Sequence, residues 1–121
     1  IFNLDKVDFN QPLYVVEGPI DSLFLDNCIA VAGSDFSKVT NEISKSGSTL
    51  IFDNEPRNKE IIKKMRSMGD QGYKVCVWPK TIKEKDINDM WMTDIKVKDV
   101  IIENTMQGLE LSLAINNWSK V

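Results

Sequence analysis

Short runs of apolar residues, separated by polar segments that often contain glycine or proline, recur along the chain. Four of these runs predict buried strands, because each is long enough for a strand but too short for a buried helix. The predicted strands are 13–17, 28–32, 49–53 and 73–78. The segment 109–116 alternates apolar and polar residues strictly. We therefore predict a further strand there, with one wet face, at an edge of the sheet.

Amphipathic segments between these strands predict helices. The clearest is 56–68, where apolar residues fall on one face at helical spacing and lysines lie mostly elsewhere. Pro56 suits the first turn of this helix and Gly69 suits its exit. Further helices are predicted at 19–26, 36–45, 87–92 and 97–105. Strands that alternate with helices predict an α/β fold: a mostly parallel sheet of about four to five strands, with helices on both faces.

The length of 121 residues and the hydrophobic content of 42% fit a single domain spanning residues 1–121. The chain begins at Ile1, and a bulky isoleucine does not normally promote removal of an initiator methionine, so we expect a piece of a longer protein. No apolar run approaches the ~20 residues that span a bilayer, and no signal peptide opens the chain. We therefore expect a soluble intracellular protein without a membrane partner.

The composition excludes several kinds of chemistry. The chain has no histidine, which removes Ser-His-Asp and Cys-His nucleophilic systems and histidine-ligated zinc. Cys28 and Cys76 each lie within an apolar run and form no CxxC pair, which favours buried thiols over a disulfide or a metal site. The net charge of −3 gives no overall basic field for nucleic acid. Any such binding would depend on local patches, metal ions or other parts of a longer protein.

Acidic residues follow three of the predicted strands, at the end where open α/β sheets bind ligands. They are Glu17 and Asp21, Asp53 and Glu55, and Asp86 and Asp89. Carboxylates packed into one crevice repel one another, by ~4 kcal/mol for a pair ~4 Å apart near a protein surface. Oxygen ligands of this kind suit Mg²⁺ or Mn²⁺, which also bridge to phosphate oxygens. The pattern therefore predicts a divalent-cation site at this edge.

Each acid also has an ordinary structural explanation. Asp53 taken alone is typical of a turn or a helix cap, and Glu55 is a possible cap before a helix. Asp21 and Asp89 are equally typical of solvated or capping positions in the first turn of a helix. The lysines of segment 56–68 commonly face solvent. The tryptophans are expected in the core or at an interface: Trp78, Trp91 and Trp118. The joint placement of the acids at successive strand ends favours a site.

Residues beside the acids are candidates for phosphate contact. Gly18 would let the backbone pass close to a ligand, and Pro19 begins a helix whose N-terminus faces the same crevice. Lys85 and Arg57 each lie next to or near a motif acid and carry the charge that a phosphate requires. The alternative for both is an ordinary surface cation.

The ordered motifs EGPID (17–21), FDNE (52–55) and KDIND (85–89) resemble the Toprim domain shared by primases, topoisomerases and some nucleases. Longer stretches, among them LYVVEGPIDSLFLDN and QGLELSLAINNWSKV, are similar to the DNA primases of T-even-type bacteriophages. The resemblance implies a catalytic domain that makes short RNA primers by metal-assisted nucleotidyl transfer. It also implies metal-binding and catalytic roles for Glu17, Asp53, Glu55 and Asp86. One departure is Asp-Asn-Glu in place of Asp-x-Asp, so that Glu55 must reach one methylene further.

The resemblance further implies partners and a location. These are a single-stranded DNA template, ribonucleoside triphosphates, the replicative hexameric helicase and single-strand-binding protein, in the cytoplasm of an infected bacterium. Zinc is expected only in an N-terminal module that this chain, without CxxC pairs, does not include, and the fragment alone is expected to be a poor primase.

Two other functions fit the same layout: a Toprim nuclease or ligase-like enzyme acting on DNA or RNA, and a non-catalytic module that binds a partner. A phospho-acceptor receiver domain also has this length and order of elements. It normally carries an acidic pair at the end of the first strand, where this chain has Glu-Gly.

Overall fold

A mostly parallel sheet lies at the centre of the protein in the computed structural model, which describes residues 1–31, 36 and 43–121. Within these residues the sheet has five strands in the order β2-β1-β3-β4-β5. They are β1 (Leu13–Val16), β2 (Cys28–Ala30), β3 (Ser48–Leu50), β4 (Lys74–Cys76) and β5 (Thr105–Met106). All pairings are parallel except that of β4 with β5. The predicted α/β, Toprim-like fold is confirmed.

Helices cover both faces of this sheet. They are α1 (Pro19–Ser22), α2 (Lys59–Asp70), α3 (Ile87–Met92), α4 (Val97–Glu103) and α5 (Gly108–Trp118), after a short 3₁₀ helix at Leu4–Lys6. Successive side chains of a strand point to opposite faces. Val15 therefore shares a core with residues of α2 and α5, and its neighbour Val16 shares a second core with residues of α3 and α4. Burial on both sides explains why β1 is apolar throughout.

The helix α2 begins later than predicted because Asn58 caps it. The Asn58 side chain accepts hydrogen bonds from the backbone N–H groups of Glu60 and Ile61, at 3.0 and 3.2 Å, which satisfies two donors that the first turn leaves free. Pro56 therefore lies in the preceding turn, and Gly69 lies inside the last turn instead of at the exit. The predicted apolar face is confirmed, with these side chains buried: Ile61, Ile62, Met65 and Met68.

The strand predicted at 109–116 is wrong, because this segment lies in the helix α5. Its buried side chains recur at helical spacing: Leu111, Ile115 and Trp118. By contrast Leu109 is 76% exposed and Leu113 is 60% exposed, although strict alternation would have placed both on the buried face. The helical period therefore decides the structure of this segment.

The edge of the sheet beside β4 is β5, at Thr105–Met106. The prediction had included residue 105 in a helix, but α4 ends at Glu103 and the chain then turns into an antiparallel strand. The helix predicted at 19–26 is a single turn, α1. The helix predicted at 36–45 falls largely on residues outside the described ones.

The predicted burial of the two thiols is confirmed, since Cys28 and Cys76 are buried and free. Burial raises the pKa of both. Trp78 and Trp118 are buried, whereas Trp91 is 52% exposed and lies against Phe24 with ring centroids 5.4 Å apart. In the described part of the chain, every helix is too short or too polar to cross a bilayer.

Candidate functional site

The carboxyl ends of β1 and β3 bring two predicted acids together. Val15 pairs with Leu50 in the parallel register, and the Ile51 N–H donates to the Val15 carbonyl at 2.8 Å, which continues the pairing past β3. Two residues further on, the backbone N–H of Asp53 donates to Oε1 of Glu17 at 3.3 Å. Residues 36 positions apart in the chain therefore meet at this edge.

The carboxyl group of Asp53 lies in a strongly unfavourable environment for a negative charge. Burial, and then the negative charges around it, raise its pKa to about 7. In decreasing order of effect, these charges belong to Glu17, Asp21, Asp86 and Glu55. Acids from all three motifs therefore act on one half-buried group, and Asp53 is partly protonated at neutral pH when no cation is present.

Asp21 connects this edge to the beginning of α3. Its Oδ1 accepts a hydrogen bond from the backbone N–H of Asn88 at 3.0 Å. Burial raises the pKa of Asp21, the hydrogen bond from Asn88 opposes that rise, and the charges of Asp86, Glu17 and Asp89 raise the pKa further. The acid that follows Glu17 by one turn therefore belongs to the same electrostatic cluster.

Gly18 leaves room for the side chain of Asp21. Its backbone is extended, with φ −101° and ψ 135°, a conformation that any residue adopts. A Cβ at this position would lie 3.2 Å from Oδ2 of Asp21, which is closer than an ordinary van der Waals contact. A larger residue would therefore require the Asp21 carboxylate to shift by a few tenths of an ångström.

Asp86 is the N-cap of α3. Its Oδ1 accepts a hydrogen bond from the backbone N–H of Asp89 at 2.8 Å. The side chain of Asp89 is exposed. The third motif thus contributes one acid that acts electrostatically on Asp53 and one that faces solvent.

Glu55 and Lys85 form an ion pair, with Oε1 and Nζ 3.8 Å apart. Because the Lys85 side chain is 59% exposed, the pair adds little stability, at most ~1 kcal/mol. The other predicted cation, Arg57, is exposed and forms no ion pair with any residue in the described ranges. Of the two candidate phosphate contacts, only Lys85 lies against a motif acid.

Asn54 holds the site together, and the sequence analysis did not identify it. Its Nδ2 donates to the carbonyls of Ile82 and Glu84, at 3.1 and 3.0 Å, and its Oδ1 accepts from Trp118 Nε1 at 3.0 Å. Its backbone N–H donates to the Lys85 carbonyl. Asn54 therefore fixes the segment before Asp86 to the loop that carries Asp53 and Glu55. Its position between two motif acids could have drawn attention to Asn54. The carbonyls that it binds are backbone groups, which no sequence pattern identifies.

In the ranges that the structure describes, no group of three acidic, histidine or cysteine side chains is arranged to hold a metal ion. Asp21 and Asp86 each accept a backbone N–H at one carboxylate oxygen, and Glu55 pairs with Lys85, so each of these carboxylates already has a partner in the protein. The acids of the three motifs are close enough to raise the pKa values of Asp21 and Asp53, but they are not grouped around a single point where a cation would lie.

No protein-family model matches the chain, so the Toprim assignment stays a prediction. The chain is 34% identical over 126 aligned residues to the DNA primase of Enterobacteria phage T4, and the match covers 100% of this chain. The chain spans 36% of the length of that primase. It is therefore related in sequence to a segment of a phage DNA primase.

Proposed function

We propose that this chain carries the nucleotidyl-transfer site of a DNA primase, formed by the acids at the carboxyl end of the sheet. The observation that carries the proposal is that acids from three motifs lie close enough to act on the half-buried Asp53, where burial and then their negative charges raise its pKa to about 7. The relation to a segment of the T4 primase also supports it. In this proposal single-stranded DNA is the template, ribonucleoside triphosphates are the substrates, and the replicative hexameric helicase is a partner.

The donor set fits a divalent cation of the Mg²⁺ or Mn²⁺ type, because every candidate ligand is a carboxylate oxygen. Glu17, Asp53 and Glu55 would hold it, with Asp86 beside them and Asp21 and Asp89 as additional acids. Rotation of these side chains away from their present partners is part of the proposal. A bound cation would offset the mutual repulsion of the carboxylates and keep Asp53 ionised.

When bound, the cation would supply Lewis-acid stabilisation of the charge on nucleotide phosphates during attack by a 3′-hydroxyl. Glu17 is positioned by the Asp53 N–H on one oxygen, which leaves its second oxygen for the cation or for the proton of the attacking hydroxyl. Lys85 and Arg57 would contact phosphate oxygens. Gly18 would leave the backbone close to the ligand.

A chimera tests the proposal, with this chain in place of the matched segment of the T4 primase. RNA synthesis is measured on single-stranded DNA with the four ribonucleoside triphosphates and Mg²⁺. We expect Asp53→Asn to reduce synthesis roughly 100-fold or more, which corresponds to a loss of about 3 kcal/mol of transition-state stabilisation. The matched control is Asp99→Asn, an exposed acid in the first turn of α4, and it should retain activity.

Undiminished synthesis by the Asp53→Asn chimera would contradict the catalytic role of the acids. Cleavage of DNA or RNA without nucleoside triphosphates, lost in Asp53→Asn, would point to the nuclease alternative. Calorimetric metal binding by the 121-residue chain itself tests the cation site independently of the chimera.

A further inference from the structure

A cavity of about 370 Å³ opens between the loop after β3, the segment after β4 and the end of α5. Asn54, which stands between Asp53 and Glu55 in the sequence, forms part of its wall. The proposed catalytic acids do not line this cavity. It is therefore a separate feature that lies directly beside the acidic cluster.

The cavity is locally cationic although the chain is acidic overall, with a net charge of −3. Among the described residues, its lining includes Lys80, Lys83 and Lys120 and no acid. None of these lysines forms an ion pair with a carboxylate in the part of the chain that the structure describes. Their charge is therefore available to an anion that enters the cavity.

Hydrogen bonds connect several residues of the cavity wall. Lys80 Nζ donates to Asn117 Oδ1 at 3.4 Å, and the backbone N–H of Lys120 donates to the Pro56 carbonyl at 2.8 Å. Trp118 is 5% exposed and is held through its indole N–H by Asn54. Burial and hydrogen bonding therefore fix the wall at Trp118, whereas the side chains of Lys80, Lys83 and Lys120 are exposed.

We infer that this cavity binds a phosphate group of a nucleotide, carried either by a single strand or by a nucleoside triphosphate. Lysine ammonium groups bind phosphate as point charges, and the apolar part of the wall, with Pro79, Ile82 and Trp118, suits the sugar or base. Because Asn54 belongs both to this wall and to the loop of motif acids, the bound phosphate would lie next to the acidic cluster. The inference deepens the proposed function and rests on it for the nature of the ligand.

The test compares two double variants of the 121-residue chain that change the net charge equally. Lys83→Glu with Lys120→Glu alters the cavity, and Lys59→Glu with Lys63→Glu alters exposed lysines on α2. Binding of a fluorescein-labelled (dT)₁₂ strand and of trinitrophenyl-ATP is measured by fluorescence in EDTA. Circular dichroism checks that all proteins are folded. EDTA removes any dependence on a cation at the acidic cluster.

We expect the cavity variant to weaken binding of at least one ligand about tenfold more than the control variant does. For the strand, we also expect the plot of log affinity against log salt concentration to be less steep in the cavity variant, by roughly 1 unit of slope. Loss for the strand alone identifies a strand phosphate, and loss for the nucleotide alone identifies a triphosphate. Equal losses in the two variants, no loss, or no binding of either ligand by the parent chain would overturn the inference.

This experiment and the chimera fail independently. Suppose that the cavity variant binds like the control variant while Asp53→Asn still reduces RNA synthesis. The inference that the cavity binds phosphate is then wrong, and the proposed function stands. Suppose instead that the cavity variant loses binding while the Asp53→Asn chimera remains active. Phosphate binding in the cavity is then supported, and the catalytic assignment of the acids is wrong.

Discussion

Asp53 donates its backbone N–H to the side chain of Glu17 across the ends of two parallel strands, at 3.3 Å. The negative charge of Glu17 is also the largest contribution after burial to the raised pKa of Asp53. The same neighbour therefore positions the Asp53 backbone and disfavours ionisation of its carboxyl group. This opposition is what a bound cation would relieve.

Asp53→Asn should stabilise the protein at pH 8 and have much less effect at pH 5. The pKa of Asp53 is about 7 in the folded state, above the ordinary aspartate value of 3.8. Between these values the folded state binds more protons than the unfolded state, so this group lowers the free energy of unfolding as the pH rises. Because Asp53 is only half-buried, solvent screening limits the expected gain at pH 8 to about 1–2 kcal/mol.

Urea unfolding of the parent chain and of Asp53→Asn at both pH values measures this effect, with EDTA present. Asp99→Asn provides the control, because Asp99 is exposed and is not among the charges that act on Asp53. A stability difference between parent and Asp53→Asn that is the same at pH 5 and pH 8 would contradict the raised pKa.

Calorimetric titration with Mn²⁺ should show binding that weakens roughly tenfold or more in Glu17→Gln and in Asp53→Asn. Asp99→Asn should bind like the parent. Binding by the parent should also strengthen from pH 6 to pH 8, because protons leave Asp53 over this range and a cation competes with them. Undiminished affinity in both site variants would reject the assignment of these acids as ligands.

The meeting of Glu17 and Asp53 was predictable, because carboxyl ends of parallel strands share one edge of a sheet. The position of Asp86 was harder to predict, since a polar segment separates it from β4 and no local pattern gives its course. That course depends on Asn54, which binds the carbonyls of Ile82 and Glu84. Every residue has a backbone carbonyl, so the sequence does not show which carbonyls Asn54 will bind.

The error at 109–116 has a different cause. Alternating leucines fit a strand, and the same segment also offers apolar residues at helical spacing, so the local pattern alone does not choose between the two. Packing chooses the helix, because Leu111 lies against α2, where a Cβ built on Gly69 would be 2.8 Å from Leu111 Cδ2. That close approach between two helices joins residues far apart in the chain and is invisible to local pattern.

Asn54→Ala should lower the free energy of unfolding by about 2–3 kcal/mol, since three side-chain hydrogen bonds of roughly 1 kcal/mol each are lost. Asn10 is exposed, and within the described residues its one hydrogen bond is from its backbone N–H to Oδ1 of Asp8. Asn10→Ala is therefore a matched control and should change stability by less than about 0.5 kcal/mol. Urea unfolding measures both, and a loss below about 1 kcal/mol in Asn54→Ala would show that Asn54 does not hold the loops together.

Leu111→Ala and Leu109→Ala distinguish a helix from a strand in the last segment. A strand would bury both leucines on one face, whereas α5 buries Leu111 to 1% exposure and leaves Leu109 76% exposed. We expect a loss of about 2–4 kcal/mol for Leu111→Ala and of less than about 0.5 kcal/mol for Leu109→Ala, measured by urea unfolding. Similar losses in the two variants would contradict the helix.

Gly69→Ala tests the contact between α2 and α5. In a helix this change normally stabilises by about 1 kcal/mol, but here the added Cβ would lie 2.8 Å from Leu111 Cδ2, closer than carbon atoms pack. Since Leu111 is buried and has little room to move, we expect a net loss of about 1–2 kcal/mol. In a Leu111→Ala background the obstructing methyl group is absent, and Gly69→Ala should then stabilise. Urea unfolding of the four proteins gives the coupling energy directly. An effect of Gly69→Ala that is the same with and without Leu111 would show that these two helices are not in contact at this point.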